Sequence, residues 1–149
     1  MSGLRADREQ DFLERTLKNL DEYKENHIEE PKYYPYEVTM MLNSLLGILI
    51  VPEQKTTILN DIDISFLEEY KGSTEDFFRH MRNSLAHGHF IKGIKVDVST
   101  NEIASIEFID IDPSNGDITF QMTFSVEQLD ALIENIRNKV CNLKKSKLR

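Results

Sequence analysis

Phe77-Phe78-Arg79-His80-Met81-Arg82-Asn83-Ser84-Leu85-Ala86-His87-Gly88-His89 is where the chain changes its period. Before Gly88 the apolar residues Phe77, Phe78, Met81 and Leu85 fall on one face of a helix. Ser73-Thr74-Glu75-Asp76 supplies its start, a hydroxyl to cap and two acids in the first turn. Gly88 suits the left-handed residue that closes such a helix. Beyond it the period drops to two. Ile94, Val96 and Val98 alternate with Lys95, Asp97 and Ser99, Ile106 and Phe108 mark a second strand, and Ile118, Phe120, Met122 and Phe124 a third. Asn115-Gly116 between the last two is a tight-turn signal. Residues from about 92 to 124 therefore predict a small antiparallel meander.

Helices flank this region. Ser125-Val126-Glu127-Gln128 is a capping box, opening a last helix with Val126, Leu129, Leu132, Ile133, Ile136 and Val140 in helical spacing. Upstream, Phe12, Leu13, Leu17, Leu20 and Tyr23 predict an amphipathic helix from Arg5 to about Asn26. A second helix begins near Pro35 and stops at Pro52, and its apolar residues, Val38 to Ile50, nearly encircle it, which places it at the centre of a bundle or under a partner chain. Ile64, Phe66, Leu67 and Tyr70 suggest a short helix ending at Gly72. The expectation is one α+β domain over 1–149, mostly helical, with the β meander inserted before the last helix.

With 149 residues, of which 40% are hydrophobic and six Gly and four Pro, the chain can bury a core without staples and is not low-complexity. The most apolar run, Val38–Val51, is too short and too polar to span a bilayer. The opening Met1-Ser2-Gly3-Leu4 continues without an apolar leader segment, and the single Cys141 can form neither an internal disulfide nor a thiolate metal site. These features predict a cytoplasmic protein with no membrane partner. The net charge is −8, from 18 basic and 26 acidic residues, an unfavourable total for holding phosphates. The tail from 137 to 149 nevertheless collects Arg137, Lys139, Lys144, Lys145, Lys147 and Arg149 with no acid. Lys144, Lys145 and Lys147 are candidate RNA contacts there; a solvated helix end is the plainer reading. Tyr33, Tyr34 and Tyr36 beside Lys32 can stack on bases or form a lid over the core.

The opening stretch holds three of the four histidines and two of the seven arginines. Arg82 and His87 form an Arg-x4-His pair, Arg82 and His89 an Arg-x6-His pair. An arginine steadies a phosphate and its developing charge, and an imidazole moves a proton near neutrality. Together they are what RNA cleavage without a metal requires: a base for the ribose 2′-hydroxyl and a cation for the pentacoordinate oxyanion. On one helix, residues five apart point about 140° away from each other, so the pair meets only if the helix breaks near Gly88 or a second chain supplies one partner. Asn83 lies four before His87 and on its side. There are plainer alternatives: Arg82 as a surface partner of Glu75 or Asp76, His87 as a donor to the last carbonyls, and Arg79 and His80 as solvated or auxiliary flanks. Metal ligation by His80, His87 and His89 is a poor pattern, with no cysteine and no partner at i+4.

Arg82-Asn83-Ser84-Leu85-Ala86-His87, at a helix end followed by Gly88, resembles the signature of the HEPN superfamily, an arginine, usually a polar residue, and a histidine four to six positions on. The layout is similar to small stand-alone HEPN proteins of plasmids and mobile elements. The resemblance implies a HEPN-like helical bundle and an endoribonuclease with no cofactor, acting as a homodimer with the two motifs facing across a two-fold axis. It implies Arg82 as oxyanion stabiliser, His87 as proton-transfer residue, Asn83 as orienting group, and His89, Arg79 and His80 as auxiliaries. It further implies a toxin–antitoxin or antiphage setting, with RNA as substrate and an antitoxin or effector protein as a possible partner. One departure stands out: where related toxins continue His-x-Tyr, with the tyrosine modified by the antitoxin, this chain has His89. A catalytically silent RNA- or nucleotide-binding module and a regulatory interaction subunit are the competing readings.

Overall fold

The structure, a computed structural model, describes residues 13–23, 25, 37–49, 58–100 and 102–147. Within them the order is α1 (13–23), α2 (Glu37–Leu49), α3 (Thr74–Ala86), β1 (Ile94–Asp97), β2 (Glu102–Ile111), β3 (Ile118–Ser125) and α4 (Val126–Lys147). Short 3-10 turns at Ile58–Asp61 and Ile91–Gly93 join them. The result is mostly helical with a small antiparallel sheet before the last helix, as expected. The expected starts of the first two helices, Tyr33, Tyr34, Tyr36 and the two prolines beside them lie outside the described residues.

Burial of one stripe on each helix explains the arrangement. Leu13, Leu17 and Leu20 of α1, and Val38, Met41, Leu42, Leu45, Ile48 and Leu49 of α2, are buried. Packed against both α3 and α4, α2 has the central place its encircling apolar residues predicted. From the sheet, Ile106, Phe108, Phe120, Met122 and Phe124 point inward. The fully buried Phe77 ring of α3 meets Phe120 and Phe124 at centroid distances of 6.1 and 6.2 Å. The sheet order is β1-β2-β3, all antiparallel. Register shifts leave Ala104 and Thr119 without partners, so each pairing carries a bulge.

Local signals decide most boundaries. Ser125 Oγ accepts the Gln128 N–H at 3.1 Å while Gln128 Oε1 accepts the Ser125 N–H at 3.0 Å, a reciprocal capping box that starts α4. Ser125→Ala removes half of it; stability is expected to fall by about 1 kcal/mol, read as a lower urea midpoint at unchanged slope. Asn115-Gly116 lies in a six-residue loop closed by Asp112 N–H to Asp117 O and Gly116 N–H to Asp112 O, both 2.8 Å, with Gly116 at φ +77. The Asp112 carboxylate, bonded by the Ser114 hydroxyl and N–H, is held below its usual range.

Two expectations are corrected. The segment with Ile64, Phe66, Leu67 and Tyr70 is a series of turns, not a helix: Leu67 N–H reaches Ile64 O, and Tyr70 N–H reaches Leu67 O. Asp63 Oδ1 captures the Ser65 N–H at 2.9 Å, an alternative to helical bonding that favours turns. Leu67 and Ile64 are still buried. The alternation through Val98 also overruns the strand. β1 ends at Asp97, whose carboxylate takes the Ser99 N–H and hydroxyl, and Val98 is left 96% exposed. No helix among the described residues is long and apolar enough to cross a membrane.

Candidate active site at the end of the third helix

The start of α3 is set by Ser73, whose Oγ accepts the Asp76 N–H at 3.1 Å. Glu75 and Asp76 complement the positive end of the helix. Asp76 pairs with Arg79 at 3.0 Å, both half exposed, a surface pair of little energetic weight. Asp76 therefore serves Arg79 and not Arg82. Half buried, Arg82 has a buried Nε with no hydrogen-bond partner among the described residues.

The other end of α3 is a Schellman motif. His87 is the cap residue, Gly88 follows at φ +68, and the two reverse bonds run from Gly88 N–H to Leu85 O and from His89 N–H to Ser84 O, at 3.3 and 2.9 Å. This folds His89 back beside the last turn. The ring of His89 lies 5.7 Å from that of His87. His87 is exposed, whereas His89 is half buried with its Nδ1 buried and unpartnered. A Cβ on Gly88 would sit 3.4 Å from Ile91 Cδ1, so space is adequate and the left-handed backbone is the constraint. Gly88→Ala is expected to cost about 1 kcal/mol, measurable as a fall of about 3 °C in Tm.

A second polar group lies on the other flank of α3. Asp110, on the inward face of β2 and only 8% exposed in its side chain, accepts through one oxygen, Oδ2, from His80 Nδ1 at 2.8 Å and from Asn83 Nδ2 at 3.1 Å. His80, 13% exposed, stacks on Phe120 with centroids 5.0 Å apart and planes 10° from parallel. It is thus packed and bonded, not solvated. Beside this cluster the buried Ser84 Oγ accepts the Ile109 N–H at 3.1 Å. Consecutive residues of β2 therefore meet consecutive residues of α3, which pins the sheet to the motif helix. Asp110 is the residue the sequence reading missed. Its signal was the strand alternation, since it continues the inward phase of Ile106 and Phe108 with a carboxylate.

Along α3, His80, Asn83 and His87 share one flank, with Arg82 about 140° round the helix from His87. The helix break at Gly88 redirects His89 and leaves His87 in place. One chain therefore gathers an imidazole and carboxamide flank and, apart from it, an arginine whose buried Nε has no acceptor among the described residues. The helical backbone of α4 continues through Lys147, while the side chains of Lys144, Lys145 and Lys147 lie outside the described residues.

A family model described as HEPN pEK499 p136 matches residues 1–147. The chain belongs to the HEPN family. Searches of curated proteins and of solved structures find no match. The match takes in the whole described HEPN fold, from α1 through the β insert to α4.

Proposed function

We propose that this HEPN protein is an endoribonuclease that uses Arg82 and His87, without a metal ion, at a site shared by two copies of the chain. The observation that carries the reading is Arg82. A guanidinium with a buried, unpartnered N–H costs about 1–3 kcal/mol, and a phosphate supplies an anion with two oxygens that the planar guanidinium fork can engage together. Its separation from His87 around α3 supports a two-fold dimer, in which the arginine of one copy serves the histidine of the other.

In this reading His87 takes the proton of a ribose 2′-hydroxyl and the 2′-oxygen attacks the adjacent phosphorus. Arg82 steadies the pentacoordinate oxyanion. The bond from phosphorus to the 5′-oxygen then breaks, and that oxygen leaves with a proton returned by an imidazole, His89 being the neighbour. The products are a 2′,3′-cyclic phosphate and a 5′-hydroxyl. Asn83 orients the site. Growth arrest in a toxin–antitoxin or antiphage system, in the cytoplasm and under an antitoxin or effector partner, is the setting that fits such an enzyme.

The test incubates wild type, Arg82→Ala and His87→Ala with end-labelled RNAs in excess EDTA and analyses the 3′ end of the products. Cleavage by wild type alone, leaving a cyclic phosphate, is the expected result. A folded, dimeric wild type that cuts nothing would sink the nuclease reading in favour of a module that only binds.

A further inference from the structure

Asp110 belongs to the β insert, yet its carboxylate is spent on the motif helix. An ionised carboxylate only accepts hydrogen bonds, so the atom Asn83 turns toward it is the amide nitrogen. The carboxamide oxygen of Asn83 then faces away from Asp110. His80 holds the same Oδ2 from the other side at 2.8 Å, and the adjacent bond from Ile109 N–H to Ser84 Oγ fixes the register. Asn83 is left with one orientation. His87 stands four residues on, about 40° round the helix and about 6 Å along it. Side chains on a helix lean toward its N-terminus, and the exposed His87 imidazole has room to swing over the turn that carries Asn83. In the structure the Asn83 side chain is bonded to Asp110, and its contact with His87 belongs to the proposal.

We propose that Asp110 is a positioning residue for His87, acting through Asn83: by fixing the amide nitrogen inward it presents the carboxamide oxygen as an acceptor for an imidazole N–H of His87. That selects which ring nitrogen keeps its proton and leaves the other as the base. The catalytic consequence rests on the nuclease reading above; the geometric claim does not. Groups facing this flank are His80 of α3 and Asp110 of β2, with the His89 ring 5.7 Å from that of His87.

The experiment reads the two ring nitrogens of His87 by NMR at alkaline pH, without RNA, in wild type, Asp110→Asn, Asn83→Ala and the double variant. Thr119→Ala is the control, losing a hydroxyl bond to the Asp110 backbone carbonyl and keeping the carboxylate. Wild type is expected to show one ring tautomer. Asn83→Ala removes the acceptor, and Asp110→Asn, whose amide both donates and accepts, lets the Asn83 carboxamide flip; each is expected to give a mixture of the two neutral tautomers. In the Asn83→Ala background, Asp110→Asn should add nothing, and Thr119→Ala should leave the tautomer in place. An unchanged tautomer in Asp110→Asn, or an equal effect of that variant with and without Asn83, would overturn the proposal, the latter pointing to direct action of charge. Should Asp110→Asn fail to fold, wild type alone decides. One side-chain amide proton of Asn83 is then expected to exchange at least tenfold more slowly than that of an exposed asparagine, and exchange at the free rate would refute the arrangement. Absence of RNA cleavage would reject the nuclease reading and leave this outcome intact. Where wild type cleaves, Asp110→Asn is expected to lower kcat about tenfold at unchanged KM.

Discussion

Arg82→Ala is expected to lower RNA cleavage by about 100- to 1,000-fold while leaving the protein as stable as wild type. The two halves of that outcome share one cause. A residue built into a fold gains partners there, and its removal strands them. Arg82 has a buried Nε with no partner, so truncation strands nothing and relieves an unmet donor. The loss of contacts along its methylene stem works the other way, and the two effects leave Tm within about 3 °C of wild type. Parallel losses of activity and stability would show that the side chain supports the fold instead. Mixing offers a second check. Arg82→Ala and His87→Ala are each inactive alone, but if each site takes its arginine and its histidine from different copies, an exchanged mixture recovers about a quarter of wild-type activity. No recovery after verified exchange would place both residues of a site on one chain.

The largest stability effect is expected at Asp110. Truncation to alanine removes the one oxygen that receives both His80 and Asn83, leaving two donors facing an inward site with no acceptor. Breaking a buried charged network from one side costs about 3–5 kcal/mol; in a chain of this size that lowers Tm by about 10 °C. Asp110→Asn keeps the shape and one acceptor, so its cost is smaller. A denaturation series that ranked the two variants equally would show that shape at this position, and not the pairing, matters.

The contrast between Asp110 and the rest of α3 explains how far the sequence could be read. Ser73 before α3, the Ser125–Gln128 box and Gly88 each act on a partner within five residues, so their roles are visible in a short window. The apolar stripes are equally legible, because burial repeats with the period of the element. Asp110 acts on residues 27 and 30 positions away, and no local window contains that pairing; the only trace is a charge in an inward phase of the strand. His80 was hidden for the same reason, as its partners Asp110 and Phe120 both come from the β insert. The false helix at Ile64–Tyr70 arose where a spacing of three suits helix and successive turns alike, and the Asp63 side chain favoured the turns. Arg82 and His87 stood out through their chemical types and the resemblance of their spacing to the HEPN signature, which the family match over 1–147 supports at the level of family. What they do together belongs to the proposal.

The bulges in the sheet bear on how the molecule keeps company with its own copies in a crowded solution. A three-stranded sheet has two open edges, and an unguarded edge invites another chain to add a strand, the first step toward fibrous aggregates. Here β1 is four residues long and carries Lys95 and Asp97, and its pairing with β2 is interrupted at Ala104. On the far side β3 is kinked at Thr119. Val98 and Ile118, though 96% and 54% exposed, therefore flank edges too short or too bent to template a growing ladder.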